Sequence, residues 1–150
     1  SKGKRQISAK LEKSIVQENN NKVNHLSSWE KFAKGSIAHR KQTLDILESL
    51  NGKNIVGFGS SARSQTYLNY CDINCGQIEA IIDNNPLKQG LFSPGSAIPI
   101  VNFKQGFALK PELIFILAWN FKDEIVKLCR ESGYKGKFLL PFPREPYLYT

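Results

Sequence analysis

Two glycines and a small residue stand at the spacing Gly57-x-Gly59-x-x-Ala62, directly after the short apolar run at residues 55–56. This spacing fits the glycine fingerprint of nucleotide-binding βα units. One glycine permits the sharp turn, the next lets a ligand approach the backbone, and the small third residue lets the helix pack on the strand. Unpaired N–H groups at such a helix start favour a phosphate or a carboxylate. The alternative is a tight βα turn that binds nothing, because glycines serve such turns for steric reasons alone.

Polar and aromatic residues follow two later apolar runs. Asp83 comes 24 residues after Gly59, near the position where a dinucleotide fold places an acid on a ribose hydroxyl. It would equally well cap the turn before Pro86. Trp119 would stack on a base or sugar, or simply close the core. Asn120 would hold a ligand or cap its helix, and we favour the cap.

Two cations, Arg63 and Lys88, are candidates to neutralise a phosphate, although each is equally well explained as a solvated surface charge. No arrangement of serine, histidine and acid stands out, and neither does a carboxylate pair. The two histidines, His25 and His39, lie upstream of the predicted sheet, outside the sheet domain. Binding is therefore better supported than chemistry, and we predict no catalytic residue.

The three cysteines, Cys71, Cys75 and Cys129, form an odd set in a sequence whose first residues are basic and polar, without the apolar stretch of a secretory signal. We therefore expect a cytoplasmic location with reduced thiols. A half metal site at Cys71-x-x-x-Cys75 lacks histidines nearby, so we predict small buried thiols and no bound metal.

The net charge of +8 is concentrated towards the amino terminus. Residues 1–53 hold eleven Lys or Arg against five Asp or Glu, whereas residues 54–150 hold ten against eight. The basic excess is diluted by Asn and Gln, which favours a solvated helical face or a flexible arm over a nucleic-acid partner. No apolar run approaches the roughly twenty residues of a membrane span, so we expect no membrane partner.

A chain of 150 residues, 41% of them hydrophobic, can bury one core and carry an extension. Residues 1–24 are predicted to form a basic helical arm or linker, because apolar residues recur there at helical spacing. Residues 25–52 predict a long helix that packs on the domain. It would begin with a capping box at Ser27-x-x-Glu30 and stop at Gly52.

From residue 53 to residue 150, short apolar runs alternate with helices or long crossovers. This pattern predicts an α/β fold, a Rossmann-like doubly wound parallel sheet preceded by a long N-terminal helical segment. Pro99 favours an edge position for its strand, and the most hydrophobic run favours the centre. The predicted strands are residues 54–58, 78–82, 98–101, 113–118 and 137–140, the predicted helices run over residues 62–71 and from Asn120 to a stop at Gly133, and residues 87–97 form an ordered loop.

In an open parallel sheet, ligands bind beyond the carboxyl ends of the strands, where the strand order reverses. That rule brings together the predicted strand ends at residues 57–61, 83–86 and 119–120. We therefore expect a single binding site along this edge of the sheet.

Several longer motifs occur in one order and carry more information than the glycine turn alone. They are GFGSSAR at residues 57–63, LNYC at 68–71, IDNNPLKQG at 82–90, PGSAIPI at 94–100 and AWNFKDEI at 118–125. In these motifs the sequence resembles the carboxy-terminal domain of S-adenosylmethionine-dependent C-methyltransferases that act on nucleotide-linked deoxysugars. The resemblance extends over roughly residues 25 to 143.

The resemblance implies a Rossmann-like domain that helps to close a nucleotide-sugar site. In that family, a zinc-binding domain and a methyltransferase domain precede this one. S-adenosylmethionine and the catalytic base would therefore lie upstream, no cofactor would bind to this segment, and its partners would be a nucleotide-linked sugar and the upstream methyltransferase domain. The substrate-binding residues carried over are Gly57, Gly59, Ser60, Ser61, Ala62, Arg63, Asp83, Asn84, Lys88, Trp119 and Asn120.

The sequence departs from the family pattern at a few positions. Lysine and then glycine usually stand where this chain has Arg63 and Ser64, arginine stands where it has Asn84, and threonine and histidine stand where it has Ser96 and Ala97. Arginine keeps the charge of lysine but not its geometry. The absent arginine and histidine remove two polar contacts.

The leading hypothesis is a substrate-binding domain of a larger methyltransferase that is non-catalytic in isolation. A dinucleotide-binding oxidoreductase or sensor domain of the NAD(P) type is the alternative that the glycine spacing and Asp83 support. A third possibility is a structural or interaction module, in which residues 1–24 mediate self-association.

Overall fold

The computed structural model describes residues 7–50 and 52–150. Predictions that fall on residues 1–6 or on residue 51 lie outside the described residues. The elements, in chain order, are α1 (Ala9–Asn20), α2 (Leu26–Ser49), β1 (Ile55–Phe58), α3 (Ala62–Cys71), β2 (Ala80–Ile82), β3 (Ile100–Val101), α4 (Phe103–Ala108), β4 (Leu113–Ile116), a 3-10 turn (Trp119–Phe121), α5 (Lys122–Glu131), β5 (Lys137–Leu140) and β6 (Tyr147–Tyr149).

The strands form one six-stranded sheet in the order β3-β2-β1-β4-β5-β6. The first five strands are parallel, and β6 adds an antiparallel edge next to β5. The predicted α/β, Rossmann-like class is therefore confirmed, with β3 at an edge and β4 in the centre as expected. The strand order reverses between β1 and β4, which is where doubly wound sheets bind ligands.

Both faces of the sheet are covered, which explains the uninterrupted apolar runs of β1 and β4. Successive side chains of a strand point to opposite faces. Phe115 therefore packs in one core cluster with Leu68 and Ile81, whereas Ile114 packs in the other with Ile125. Phe115 and Ile114 are both fully buried, as expected for a parallel sheet between two layers of helices.

The chain divides into two compact units, one up to Ala38 and one from His39 onwards. The division falls within α2. In the second unit, Leu47 of α2 is buried in the core, and Leu44 packs against the same cluster. In the first unit, none of the described residues is buried. The domain boundaries drawn from the sequence remain a prediction.

Two predicted helix caps are wrong. Helix α2 begins at Leu26, so Ser27 lies inside its first turn, and the backbone carbonyl of His25 accepts from the N–H groups of Ser28 and Trp29. Asn120 lies inside the 3-10 turn, and α5 begins after it without a side-chain cap. The turn intervenes because the backbone after β4 does not adopt the extended conformation that a capping residue needs.

Helix α3 begins and ends at the predicted residues, and so does β5. Two short elements were not predicted, the six-residue α4 and the antiparallel β6. Over residues 7–50 and 52–150, no helix combines the length and the apolar character required to cross a bilayer.

Candidate functional site

The two glycines of the turn after β1 each have a steric reason to be glycine. Gly59 has a φ of +97°, and a Cβ atom there would collide with the Cβ of Ala118. A Cβ on Gly57 would lie 2.9 Å from the Leu117 side chain, inside the core. The N–H of Gly59 donates to the carbonyl of Ile82 at 2.8 Å, so the turn is tied to the end of β2.

Several backbone N–H groups of this turn already have acceptors inside the protein. The N–H of Ser61 donates to the Ser64 hydroxyl at 2.7 Å, and the N–H of Ser64 donates back to the Ser61 hydroxyl at 3.2 Å. This reciprocal capping box starts α3. Ser64 stands where the resembling family usually has glycine, so its hydroxyl engages an N–H that glycine would leave free.

Two N–H groups remain at the start of α3. No described residue accepts a hydrogen bond from the N–H of Ala62 or of Arg63. The first-turn N–H groups of a helix have no partner inside the helix, and they carry partial positive charge. The predicted anion-binding edge thus has fewer free N–H donors than the glycine spacing suggests.

Asp83, at the end of β2, is held by protein donors on both carboxylate oxygens. Oδ2 accepts from the N–H of Ser60 at 2.7 Å, and Oδ1 accepts from the N–H of Asn85 at 2.9 Å. The side chain is only 12% exposed. The geometry therefore accounts for Asp83 as a cap of its turn, one of the two roles left open by the sequence.

Lys88 joins the loop after β2 to the glycine turn. Its Nζ donates to the carbonyl of Ser60 at 2.6 Å and lies 3.4 Å from Oδ2 of Asp83. The amide of Gln89 adds a hydrogen bond to the carbonyl of Asp83 at 3.0 Å. Lys88 is therefore a structural contact between two loops, and part of its charge is neutralised by Asp83.

Arg63 and Trp119 lie against one another at the carboxyl ends of β1 and β4. The guanidinium carbon of Arg63 is 5.6 Å from the centre of the indole ring, within the range of a cation–π contact. Trp119 also packs against Phe142 at 4.7 Å and Tyr67 at 6.5 Å. The cavity beside Arg63 and Trp119, which Asn120 also lines, has a volume of about 40 Å³, too small for a base. Stacking of a ligand on Trp119 requires Arg63 to move.

A larger cavity of about 360 Å³ lies at the switch point of the sheet, where the strand order reverses between β1 and β4. Its size reaches the range of small-molecule sites. Of the predicted site residues, Asp83 and Asn84 contribute to it, whereas Phe121 and Glu124 were not predicted. The lining residues are Phe58, Asp83, Asn84, Ala118, Phe121, Glu124, Ile125 and Leu128. Apolar walls with carboxylates among them suit an uncharged ring that carries hydroxyl or N–H donors.

Gln65 brings an unsatisfied acceptor to the glycine turn. Its Nε2 donates to the hydroxyl of Ser60 at 2.9 Å, whereas its Oε1 is buried and has no described partner. A buried polar atom without a partner is costly, and a ligand would reach this oxygen only after movement of the side chains that cover it. No sequence pattern singles out Gln65, because its contact depends on α3 placing it beside Ser60.

His39 belongs to a polar and aromatic cluster that was not predicted. Its Nε2 lies 3.1 Å from the hydroxyl of Tyr67, which is also 2.6 Å from the hydroxyl of Thr43, and its ring stacks on Phe142 at 4.7 Å. His39 therefore contacts the sheet domain from α2, the helix that was predicted to pack on that domain. Burial lowers the pKa of His39, against the opposing charge of Glu145, and burial raises the pKa of Tyr67.

All three cysteines are free thiols, and Cys71 and Cys129 are buried as expected, whereas Cys75 is exposed. Burial raises the pKa of Cys129 to about 12, so this thiol stays protonated and unreactive. Across the part of the chain that the structure describes, no group of three or more His, Cys, Asp or Glu side chains is arranged to hold a metal ion.

A mostly parallel α/β sheet, a glycine turn after β1 and a cavity at the switch point define a Rossmann-like domain. The model of the C-methyltransferase C-terminal domain matches residues 1–143, so the chain belongs to the C-methyltransferase C-terminal domain family. This confirms the family that the sequence motifs indicated.

The chain is also similar to an individual protein, the C-methyltransferase NovU of Streptomyces niveus, with 28% identity over 134 residues. The match covers 86% of this chain and 31% of NovU. The chain thus spans about a third of the length of this relative.

Proposed function

We propose that this domain binds the nucleotide part of a nucleotide-linked sugar for a C-methyltransferase whose catalytic centre lies in another domain. Family membership supports the methyltransferase context. The observation that carries the proposal is the pairing of a cationic helix start with a larger, mainly apolar cavity at the switch point, both bounded by Ala118 and Phe121.

The two parts of this edge suit the two parts of a nucleotide. The free N–H groups of Ala62 and Arg63, with the Arg63 guanidinium, suit a diphosphate. The cavity lined by Phe58, Phe121 and Glu124 suits an uncharged ring, because its walls are apolar and a carboxylate is available to accept from hydroxyl or N–H groups.

In this role the chain binds and orients the nucleotide, and it transfers no proton. Asp83, the acid nearest to the glycine turn, is engaged by the N–H of Ser60 and by Lys88. The same engagement argues against the alternative of a dinucleotide-dependent oxidoreductase, which needs a free acid after β2 for the ribose. S-adenosylmethionine would bind to the methyltransferase domain.

Calorimetric titration of the 150-residue chain with thymidine diphosphate, S-adenosylmethionine and NADH tests the proposal. We expect thymidine diphosphate to bind and the other two compounds not to bind. Tight binding of S-adenosylmethionine, or methyl transfer by this chain alone, would contradict the proposal, and so would preferential binding of NADH.

The substitution Arg63→Ala probes the phosphate contact. It removes a charged donor, so the affinity for thymidine diphosphate should fall by about tenfold. Lys135→Ala is the matched control, because Lys135 is exposed and precedes the amino end of β5, whereas the candidate site lies at the carboxyl ends of the strands. Equal affinities of the two variants would remove Arg63 from the site.

A further inference from the structure

One face of α2 serves as a packing surface in the second unit. Positions three or four residues apart share a face of a helix. The residues on this face are Leu26, Trp29, Ala33, Ile37, Arg40, Leu44 and Leu47. In the second unit, Leu47 is 5% exposed, and Leu44 packs against the same core cluster.

In the first unit, the residues of the same helix face are exposed to solvent. Trp29 is 57% exposed and Ile37 is 65% exposed. Phe32, which flanks the face, is 68% exposed and meets Trp29 edge to face at 6.3 Å. Helix α1 also buries none of its residues. The described part of the first unit therefore has two helices without a core of their own.

Packing within the described part of the first unit does not cover the apolar residues of either helix. Helix α1 has 12 residues, a length at which a helix is marginal in water unless its apolar side packs against something. A group of large apolar side chains exposed together marks an interaction site, and Trp and Phe are enriched in the buried centres of protein interfaces. The exposed apolar residues of α2 therefore have the character of a protein interaction surface.

We propose that the docking face, defined as Leu26, Trp29, Phe32 and Ile37, binds the methyltransferase part of the same enzyme. This inference rests on the proposed function. The family match includes the docking face, because it spans residues 1–143. The match with NovU covers 31% of that protein, which leaves more than two thirds of its length to supply a partner. A second copy is a poorer occupant, since each copy carries a net charge of +8.

Hydroxyl-radical footprinting read by mass spectrometry tests the docking face. The 150-residue chain is compared with the longer polypeptide that includes its methyltransferase part. Oxidation of Trp29 should fall by roughly tenfold in the longer polypeptide, as for a residue at the centre of an interface. Phe92 is the internal reference, because it is 66% exposed and lies in the second unit. Unchanged oxidation of Trp29 would overturn the inference.

A double substitution, Trp29→Ala with Phe32→Ala, gives an independent measurement in the longer polypeptide. It should raise the rate of protease cleavage between the two parts by about tenfold or more. The control Lys31→Ala lies on the opposite side of α2 and should change nothing. Sedimentation of the 150-residue chain as a dimer through this face, or its binding to anionic lipid vesicles, would also overturn the inference. The nucleotide titration tests the proposed function separately, since it does not involve the docking face.

Discussion

Removing the hydroxyl of Ser64 should make the domain less stable and, at the same time, a better binder of phosphate. Ser64 is fully buried, and its Oγ accepts from the N–H of Ser61 at 2.7 Å. The variants Ser64→Ala and Ser64→Gly both release that N–H towards the start of α3. The free N–H would then join those of Ala62 and Arg63 as a third backbone donor for an anion.

The hydrogen bonds of the capping box set the expected changes in stability and in affinity. Loss of the reciprocal cap should lower the free energy of unfolding by about 1–2 kcal/mol. The glycine variant should lose a further ~0.5 kcal/mol, because glycine is a poorer helix former than alanine. One added hydrogen bond to a charged phosphate contributes about 1.5 kcal/mol, so the affinity for thymidine diphosphate should rise by roughly tenfold.

Urea unfolding and calorimetric titration of both variants measure the two effects. Thr66→Ala is the matched control, because its hydroxyl donates to the carbonyl of Ala62 in the same helix and does not bind a turn N–H. Lower stability with unchanged affinity in both Ser64 variants would refute the idea that the N–H of Ser61 faces the phosphate. Higher affinity in the glycine variant alone would point to backbone flexibility instead of a released donor.

Two further predictions concern stability. Gly59→Ala should lower the free energy of unfolding by about 3 kcal/mol, because it combines a left-handed φ with a collision against Ala118. The control Gly90→Ala is also at positive φ but in open space, so it should lower the free energy of unfolding by about 1–2 kcal/mol. Equal losses of the two variants in urea unfolding would contradict the collision. Burial lowers the pKa of His39, so the unfolded chain binds the proton more readily and stability should decline as the pH falls through the unperturbed value of 6.5. Between pH 7.5 and pH 5.5, His39→Gln should lose less stability than the wild type, and indistinguishable pH profiles of urea unfolding would exclude His39 as the cause.

The central strands and α3 could be predicted from the sequence because the patterns that indicate them are local. Helix α3 lies between a glycine turn and a left-handed residue, Asp72, and β4 is a continuous apolar run. Helix α4 was missed because it has only six residues, although Asn102 and Gln105 form a capping box that three-residue spacing would have revealed. Strand β6 was missed because three residues, Tyr147–Tyr149, carry too short a pattern to be recognised.

The candidate site was predictable in position and not in detail. The rule for parallel sheets brings Gly59, Asp83 and Trp119 to one edge without knowledge of side-chain positions. The partners of each donor depend on side-chain rotamers, so the engagement of Asp83 by Lys88 could not be derived. The contacts of His39 could not be derived for a related reason, since no local pattern shows which part of a 24-residue helix contacts the sheet.

The Lys88 contact affects both the association rate and the affinity of a ligand at this site. By tying the loop after β2 to the carbonyl of Ser60, Lys88 joins two loops into one preformed surface. A ligand that meets a preformed surface loses less free energy to ordering its receptor, and its association needs no preceding loop closure. Under the proposed function, nucleotide binding to this domain should therefore be a single fast step.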